Sequence, residues 1–186
     1  FRLREMGSFQ LSETPEVLGS GPGNNPRMVT WARLATINRP SNGEPGPYPM
    51  DYRGHWENTQ ELYVFNTHLF VGDGRLLARL NSARLIVERI DTLDRFGEWT
   101  PSRPVFLLGD FNSRPGGEVH TAFVGDQNSD EPRLLNDSAE GGSEIDWVLS
   151  RGNVKVLSYE IVDFNVDGIY ASDHKPILVE YQILDS

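Results

Sequence analysis

Apolar and polar residues alternate with a period of two over residues 29–37 (VTWARLATI), the pattern of a half-buried strand. Residues 61–69 (ELYVFNTHL) are rich in aromatic and β-branched side chains and read as a second strand. Over residues 75–96 the period changes. Leu76, Leu80, Ala83, Val87, Ile90 and Leu93 recur at steps of three and four, which predicts a helix. Arg79, Glu88, Asp91, Asp94 and Arg95 are expected largely on its other faces. Gly97 then stops the helix, with Pro101 and Pro104 behind it. The run at 104–109 (PVFLLG) is continuously apolar, as suits a strand buried on both faces. Further strands are predicted at 145–149, 154–162 and 177–184, and a short helix at 118–124. Residues 125–144 are polar and turn-rich. Between the first two strands, residues 38–58 hold Pro40, Pro45, Pro47 and Pro49 with Gly43, Gly46 and Gly54. That density of breakers predicts a long surface loop inserted between paired strands.

Many strands, few helices and one strand–helix–strand passage predict an α/β (α+β) fold in which a mixed sheet packs against helices. A single sheet of about six strands would leave one apolar face uncovered, and a second sheet supplied by residues upstream is the expected cover. The 186 residues are expected to form a single domain, 1–186. The chain opens on Phe1-Arg2-Leu3-Arg4 without Met, so residues are expected ahead of it. No apolar run approaches the roughly 18 residues of a membrane span. The hydrophilic composition predicts a soluble protein, in the cytoplasm or secreted.

Charge and cysteine usage narrow the chemistry. A net charge of −10 argues against affinity obtained by blanketing a phosphate backbone with Lys and Arg. A metal ion can supply a positive field that the chain lacks, so nucleic acid is not excluded as a substrate. There is no cysteine, which removes disulfides, thiolate nucleophiles and zinc–thiolate sites.

Four polar groups stand at the ends of apolar strands: Asn66-Thr67-His68, Gly109-Asp110-Phe111-Asn112, Ile145-Asp146-Trp147 and Ser172-Asp173-His174-Lys175-Pro176. Asp110 and Asn112 are two apart, so an extended segment aims both side chains the same way, toward a shared metal-bound or phosphate-bound oxygen. The same tetrapeptide also closes a strand as an Asx turn without any ligand. Ser172-Asp173-His174 suits a metal ligand beside a substrate contact, and equally a polar loop rim with a surface histidine. His68 alone reads first as a structural hydrogen-bond partner. Asp146 is flanked by Ile145, Trp147 and Val148, and a carboxylate in apolar surroundings needs a partner. An imidazole such as His174 would satisfy it and become a stronger base in return.

Taken in order, with 42, 36 and 28 residues separating His68, Asp110, Asp146 and His174, these groups resemble the endonuclease/exonuclease/phosphatase family of DNase I-like enzymes. The stretch 9–16, with Pro26, Arg27 and residues 30–33, is similar to the family's lead-in segment. The resemblance runs from about Phe9 to Tyr181. It implies a four-layer α/β/β/α sandwich and a divalent-metal-dependent phosphoester hydrolase, a phosphatase or a nuclease-like phosphodiesterase, that uses in-line water attack. By the same resemblance, His68 and His174 approach the scissile phosphate. Asp110 orients or deprotonates the attacking water, Asn112 holds it, and Asp146 pairs with His174. Asp173, Asp110 and Asn112 hold the ion, expected to be Mg²⁺ with Mn²⁺ or Ca²⁺ as alternatives.

The family also places an Asn and a metal-binding Glu ahead of its lead-in segment. Glu5, Glu13 and Glu16 do not sit in the context of that Glu. The chain is therefore expected to correspond to the C-terminal two-thirds of the fold, with an upstream segment of the same protein completing the site. The acidic balance favours a small phosphoester, lipid headgroup or short oligonucleotide over duplex DNA as substrate. The alternative is a non-catalytic binding or scaffold domain of the same fold that lacks a complete metal site. Elsewhere, Arg33 reads as a surface ion-pair partner or a phosphate contact, Arg79 as a brace for the sheet, and Trp31 and Trp147 as core. Tyr48, Tyr52, His55 and Trp56 in the long loop are candidates for a substrate mouth.

Overall fold

The computed structural model describes residues 1–21, 25–36, 60–95, 103–125, 134–136 and 145–184. The loop predicted at 38–58, and with it the aromatic candidates of a substrate mouth, lies outside the described residues, as does most of 125–144. Among the described residues, eight strands and two helices follow in the order β1 (Arg2–Gln10), β2 (Met28–Ala35), β3 (Glu61–His68), α1 (Leu76–Arg95), β4 (Val105–Asp110), α2 (Glu118–Val124), β5 (Leu135–Asn136), β6 (Asp146–Arg151), β7 (Val154–Ile161) and β8 (Ile177–Ile183). A single 3₁₀ turn at Asp73–Arg75 leads into α1.

Six strands make one sheet in the order β1-β2-β3-β4-β6-β5, and β7 and β8 pair in a sheet of their own. All neighbours are antiparallel except β3 and β4, which are parallel and are joined through α1. Parallel neighbours need such a crossover, so the strand–helix–strand passage visible in the sequence is the central unit of the sheet. On β3 the side chains of Tyr63, Phe65 and Thr67 are buried, and the Tyr63 hydroxyl donates to the Leu93 carbonyl of α1 at 3.4 Å. That face carries the main core. Ala83, Ile86 and Ile90 of α1 and Val119 and Phe123 of α2 pack with Val29, Phe65, Val105, Leu107 and Trp147, all essentially inaccessible. On the opposite face, Phe106 of β4 packs its ring 4.7 Å from that of Tyr181 on β8, which fastens the small sheet to the large one.

The sequence predicts one sheet that includes 154–162 and 177–184, and here the structure differs. Both segments alternate half-buried and exposed residues along their length. That alternation suits a sheet with one face packed and the other outward, whereas β4 is buried from both sides over its first half. Their places in the large sheet are taken by β1 and the two-residue β5. Neither is evident in the sequence. β1 (RLREMGSFQ) is an edge strand with only Phe9 and Gln10 buried, and its charges are what an edge carries.

On α1, Leu76 is 39% exposed while Arg79 is 91% buried, so the apolar stripe begins one turn later than predicted and takes in an arginine. Trp147 is core, as predicted, and Trp31 is partly buried against that core, near Tyr63 and Phe65. Arg33 pairs with Glu61 and Glu5, both at 3.1 Å, which is the ion-pair reading. Among the described residues no helix is long and apolar enough to cross a membrane.

Candidate active site

Strand register does most of the assembly. His68 lies opposite Asp110 in the parallel β3–β4 pair, and Asp110 lies opposite Asp146 in the antiparallel β4–β6 pair. The three residues therefore form one row across three adjacent strands, on the sheet face turned away from α1. His68 Nε2 sits 3.3 Å from Asp110 Oδ2, with the imidazole half exposed.

The row closes tightly because residue 109 is glycine. Its φ of +145° is disfavoured for other residues, and a Cβ there would lie 1.9 Å from the Thr67 carbonyl oxygen. Beyond the last ladder pair, the Leu69 N–H donates to the Asp110 carbonyl and the Phe111 N–H to the Ile145 carbonyl, both at 2.8 Å. The ends of β3, β4 and β6 are thus tied together by backbone.

Phe111 then dives into the core. It is inaccessible, stacks on Trp147 at 4.5 Å between centroids, and meets Phe123 edge-on at 5.2 Å. With this side chain pinned, the chain turns sharply at Asn112, whose φ is +46°, a conformation Asn tolerates better than most residues. The Asn112 N–H donates to Asp110 Oδ1 at 2.7 Å, so the Asx turn considered for this tetrapeptide is present. It does not exclude a ligand role. It holds one oxygen of Asp110 and leaves the other toward His68. The Asn112 side chain donates through Nδ2 to the Leu69 carbonyl at 3.1 Å, which fixes the amide plane and leaves Oδ1 as its acceptor.

His174 arrives from the other sheet, on the segment leading into β8. The Ser172 hydroxyl accepts the His174 N–H at 3.1 Å, and the Pro176 carbonyl accepts the Val162 N–H at 2.8 Å to close the base of the loop. His174 Nδ1 lies 2.6 Å from Asp146 Oδ2. That hydrogen bond and the charge of Asp146 hold the imidazole above its ordinary pKa of 6.5, with smaller contributions from Asp110 and Asp173. With Nδ1–H committed to the carboxylate, Nε2 is the nitrogen left for proton exchange.

Asp110, Asp146 and His174 present one ligand atom each within 4.8 Å of one another, a grouping able to hold a metal ion. Asp173 stands outside that trio. It is exposed and lies 3.4 Å from the Ser172 hydroxyl. Of the residues singled out in the sequence, the structure thus brings His68, Asp110, Asn112, Asp146 and His174 to one end of the large sheet, with Asp173 at the rim. Two supporting residues have roles that the sequence does not reveal. The need for Gly109 is signalled only by a glycine inside an apolar strand. Leu69 acts through its backbone alone, which leaves no signal in its side chain.

Residues 81–174, about half of the chain, match the model of the Endonuclease/Exonuclease/phosphatase family. Among solved structures, an endonuclease/exonuclease/phosphatase from Bacteroides vulgatus matches with a TM-score of 0.69 and 22% identity, over 98% of this chain and 66% of that one. An endonuclease/exonuclease/phosphatase family protein from Bacteroides thetaiotaomicron matches with a TM-score of 0.68 and 22% identity, over 97% of this chain and 65% of that one. A mannosyl-6-phosphatase from B. thetaiotaomicron VPI-5482 gives 0.64 and 21%, over 97% of this chain and 67% of that one. The chain thus spans about two thirds of the length of these structures, and the likeness establishes an α/β fold of the DNase I-like type. No curated protein matches.

Proposed function

Because this chain belongs to the Endonuclease/Exonuclease/phosphatase family, we propose that it serves as a divalent-metal-dependent phosphoester hydrolase whose reacting groups are His68, Asp110, Asn112, Asp146 and His174. The observation that carries the reading is the row His68–Asp110–Asp146 continued by His174: two imidazoles and two carboxylates joined by contacts of 3.3 and 2.6 Å.

The donor chemistry suits a hard cation. Asp146 and His174 are bonded to one another, so Asp110 is the carboxylate of the trio left to hold an ion, with Asn112 Oδ1 and Asp173 as further oxygen donors. Mg²⁺ is commonly held by one or two carboxylates together with waters and substrate phosphate, which matches so sparse a set, and Mn²⁺ or Ca²⁺ would accept the same oxygens. When bound, such an ion supplies neutralisation of phosphate charge and stabilises an attacking or departing oxygen.

The remaining work falls to the chain. Asp110, with Oδ1 held by the Asn112 N–H and Oδ2 facing the His68 imidazole, is the carboxylate placed to orient a water and accept its proton. His174, kept protonated to higher pH by Asp146, donates from Nε2 to a non-bridging phosphate oxygen. His68 donates a second hydrogen bond from the neighbouring strand. Asn112 is held by the Leu69 carbonyl so that its Oδ1 is preorganised rather than searching. The net charge of −10 favours small phosphoesters, lipid headgroups or short oligonucleotides over duplex DNA. The mannosyl-6-phosphatase among the similar structures adds sugar phosphates to the classes worth testing. An upstream segment of the same protein is proposed to complete the metal site.

The test is hydrolysis of bis-p-nitrophenyl phosphate and of a panel holding a sugar phosphate, a phosphocholine diester and a short oligonucleotide, with Mg²⁺ and then with EDTA. Turnover that stops with EDTA and returns with Mg²⁺ is expected. Turnover indifferent to chelation would remove the metal from the mechanism. Folded protein that hydrolyses no member of the panel would favour the non-catalytic binding domain.

A further inference from the structure

Arg79 is buried, at 9% exposure, and among the described residues no carboxylate pairs with it, whereas the comparably buried Arg151 has Asp91. A guanidinium withdrawn from water without a counter-charge is costly, so what it does hold is informative. Its Nη1 donates to two backbone carbonyls, Phe70 and Gly72, each at 2.9 Å, and its Nε makes no hydrogen bond. Both carbonyls belong to the strap that follows His68. Leu69, the first residue of that strap, is inaccessible, donates its N–H to the Asp110 carbonyl and accepts the Asn112 side-chain amide. One short run of backbone therefore connects the Arg79 guanidinium to His68, Asp110 and Asn112.

We propose that Arg79 is a positioning residue for this site: by clamping the Phe70 and Gly72 carbonyls it fixes the strap that sets the Asn112 amide and the His68 ring against Asp110. This corrects the expectation that Arg79 braces the sheet, since its bonds go to the loop. The geometry explains why a charged fork is used. A planar guanidinium donates in fixed directions, so it sets the spacing of two carbonyls that flank Val71, which a single flexible ammonium does less well. Gly72, at φ +101°, lets the backbone curl so that both carbonyls face one side.

The inference rests on the hydrolase reading for its kinetic consequence and is independent of it for its structural one. In R79A, the Leu69 amide should lose hydrogen-exchange protection by about tenfold or more while the Ile86 and Leu107 amides keep theirs. Hydrolysis of bis-p-nitrophenyl phosphate should fall by about 10- to 100-fold in kcat with KM nearly unchanged, the size expected of a misplacement near 1 Å. R79K, which keeps the charge and loses the fork, should lie between R79A and the parent in both measurements. A brace with only a structural role would lower protection throughout the core and leave kcat per folded molecule unchanged. That outcome, or an R79A protein indistinguishable from the parent, overturns the proposal. If R79A does not fold, R79K decides: unaltered Leu69 exchange and unaltered kcat in R79K defeat the fork. Should the parent hydrolyse nothing, the hydrolase reading fails by itself, and exchange at Leu69 still judges the strap.

Discussion

Asp146 opens β6 of the large sheet and His174 precedes β8 of the small one, and their side chains meet at 2.6 Å. The contact joins the two sheets at the site, and it couples the protonation of one to the charge of the other. In D146N, the ring protons of His174 should titrate at lower pH than in the parent, back toward 6.5, because the hydrogen bond and charge that raise its pKa are weakened. The alkaline limb of the pH–rate profile should move the same way, since it is the protonated ring that donates. An NMR titration of the imidazole checks the first statement directly, and an unmoved His174 titration would contradict it.

Stability should depend on pH in opposite senses through two histidines. The pKa of His174 is raised on folding, so its pairing with Asp146 is fully felt below about pH 6.5 and fades as pH rises through the higher folded value. Burial lowers the pKa of His120, which sits edge-on to Trp147 at 5.3 Å. The unfolded chain therefore binds a proton more readily there, and stability falls as pH drops below 6.5. Denaturant melts across pH 5 to 9 should show D146N flattening the alkaline decline and H120F flattening the acid one.

Removing the imidazole altogether separates chemistry from folding. H174A should lower kcat by about 10²- to 10⁴-fold, the range for a lost general acid or base, with little change in Tm, since the ring is more than a third exposed. A matching loss of Tm would make His174 a structural residue.

Gly109→Ala should do the reverse and damage the scaffold first. A Cβ placed 1.9 Å from the Thr67 oxygen cannot be accommodated without separating β3 from β4. A loss of about 2 kcal/mol or more in unfolding free energy is expected from backbone displacement and strain. Alanine tolerated at full stability would show that the strand ends are not held as closely as the register implies.

Ion binding can be read without turnover. Added MgCl₂ should raise Tm by mass action on the folded state, and the rise should shrink in D110N, which keeps the shape of the side chain and loses its charge. Equal shifts in both proteins would assign the ion to other ligands.

How far these relationships were legible beforehand follows from what each one depends on. The β3–α1–β4 passage is announced by local periodicity, because a half-buried strand and an amphipathic helix impose different spacings on apolar residues. The polar groups at strand ends stand out for a related reason: His68, Asp110 and Asp146 sit at the ends of apolar runs that have no packing use for them. Partnerships across the chain are another matter. That Arg79 turns inward, that β7 and β8 leave the large sheet, and that an edge strand forms from a charged segment all depend on neighbours distant in sequence.

Taken alone, then, the order of residues determined the central strands and helix, the acidic balance and the identity of the chemical groups, since these are properties of short segments and of composition. Tertiary structure alone decided that His68, Asp110 and Asp146 share one row, that His174 reaches across from a second sheet, and that a buried arginine holds the strap between them. The register of non-adjacent strands and the burial of a charge are settled by packing over the whole chain, which no local pattern encodes.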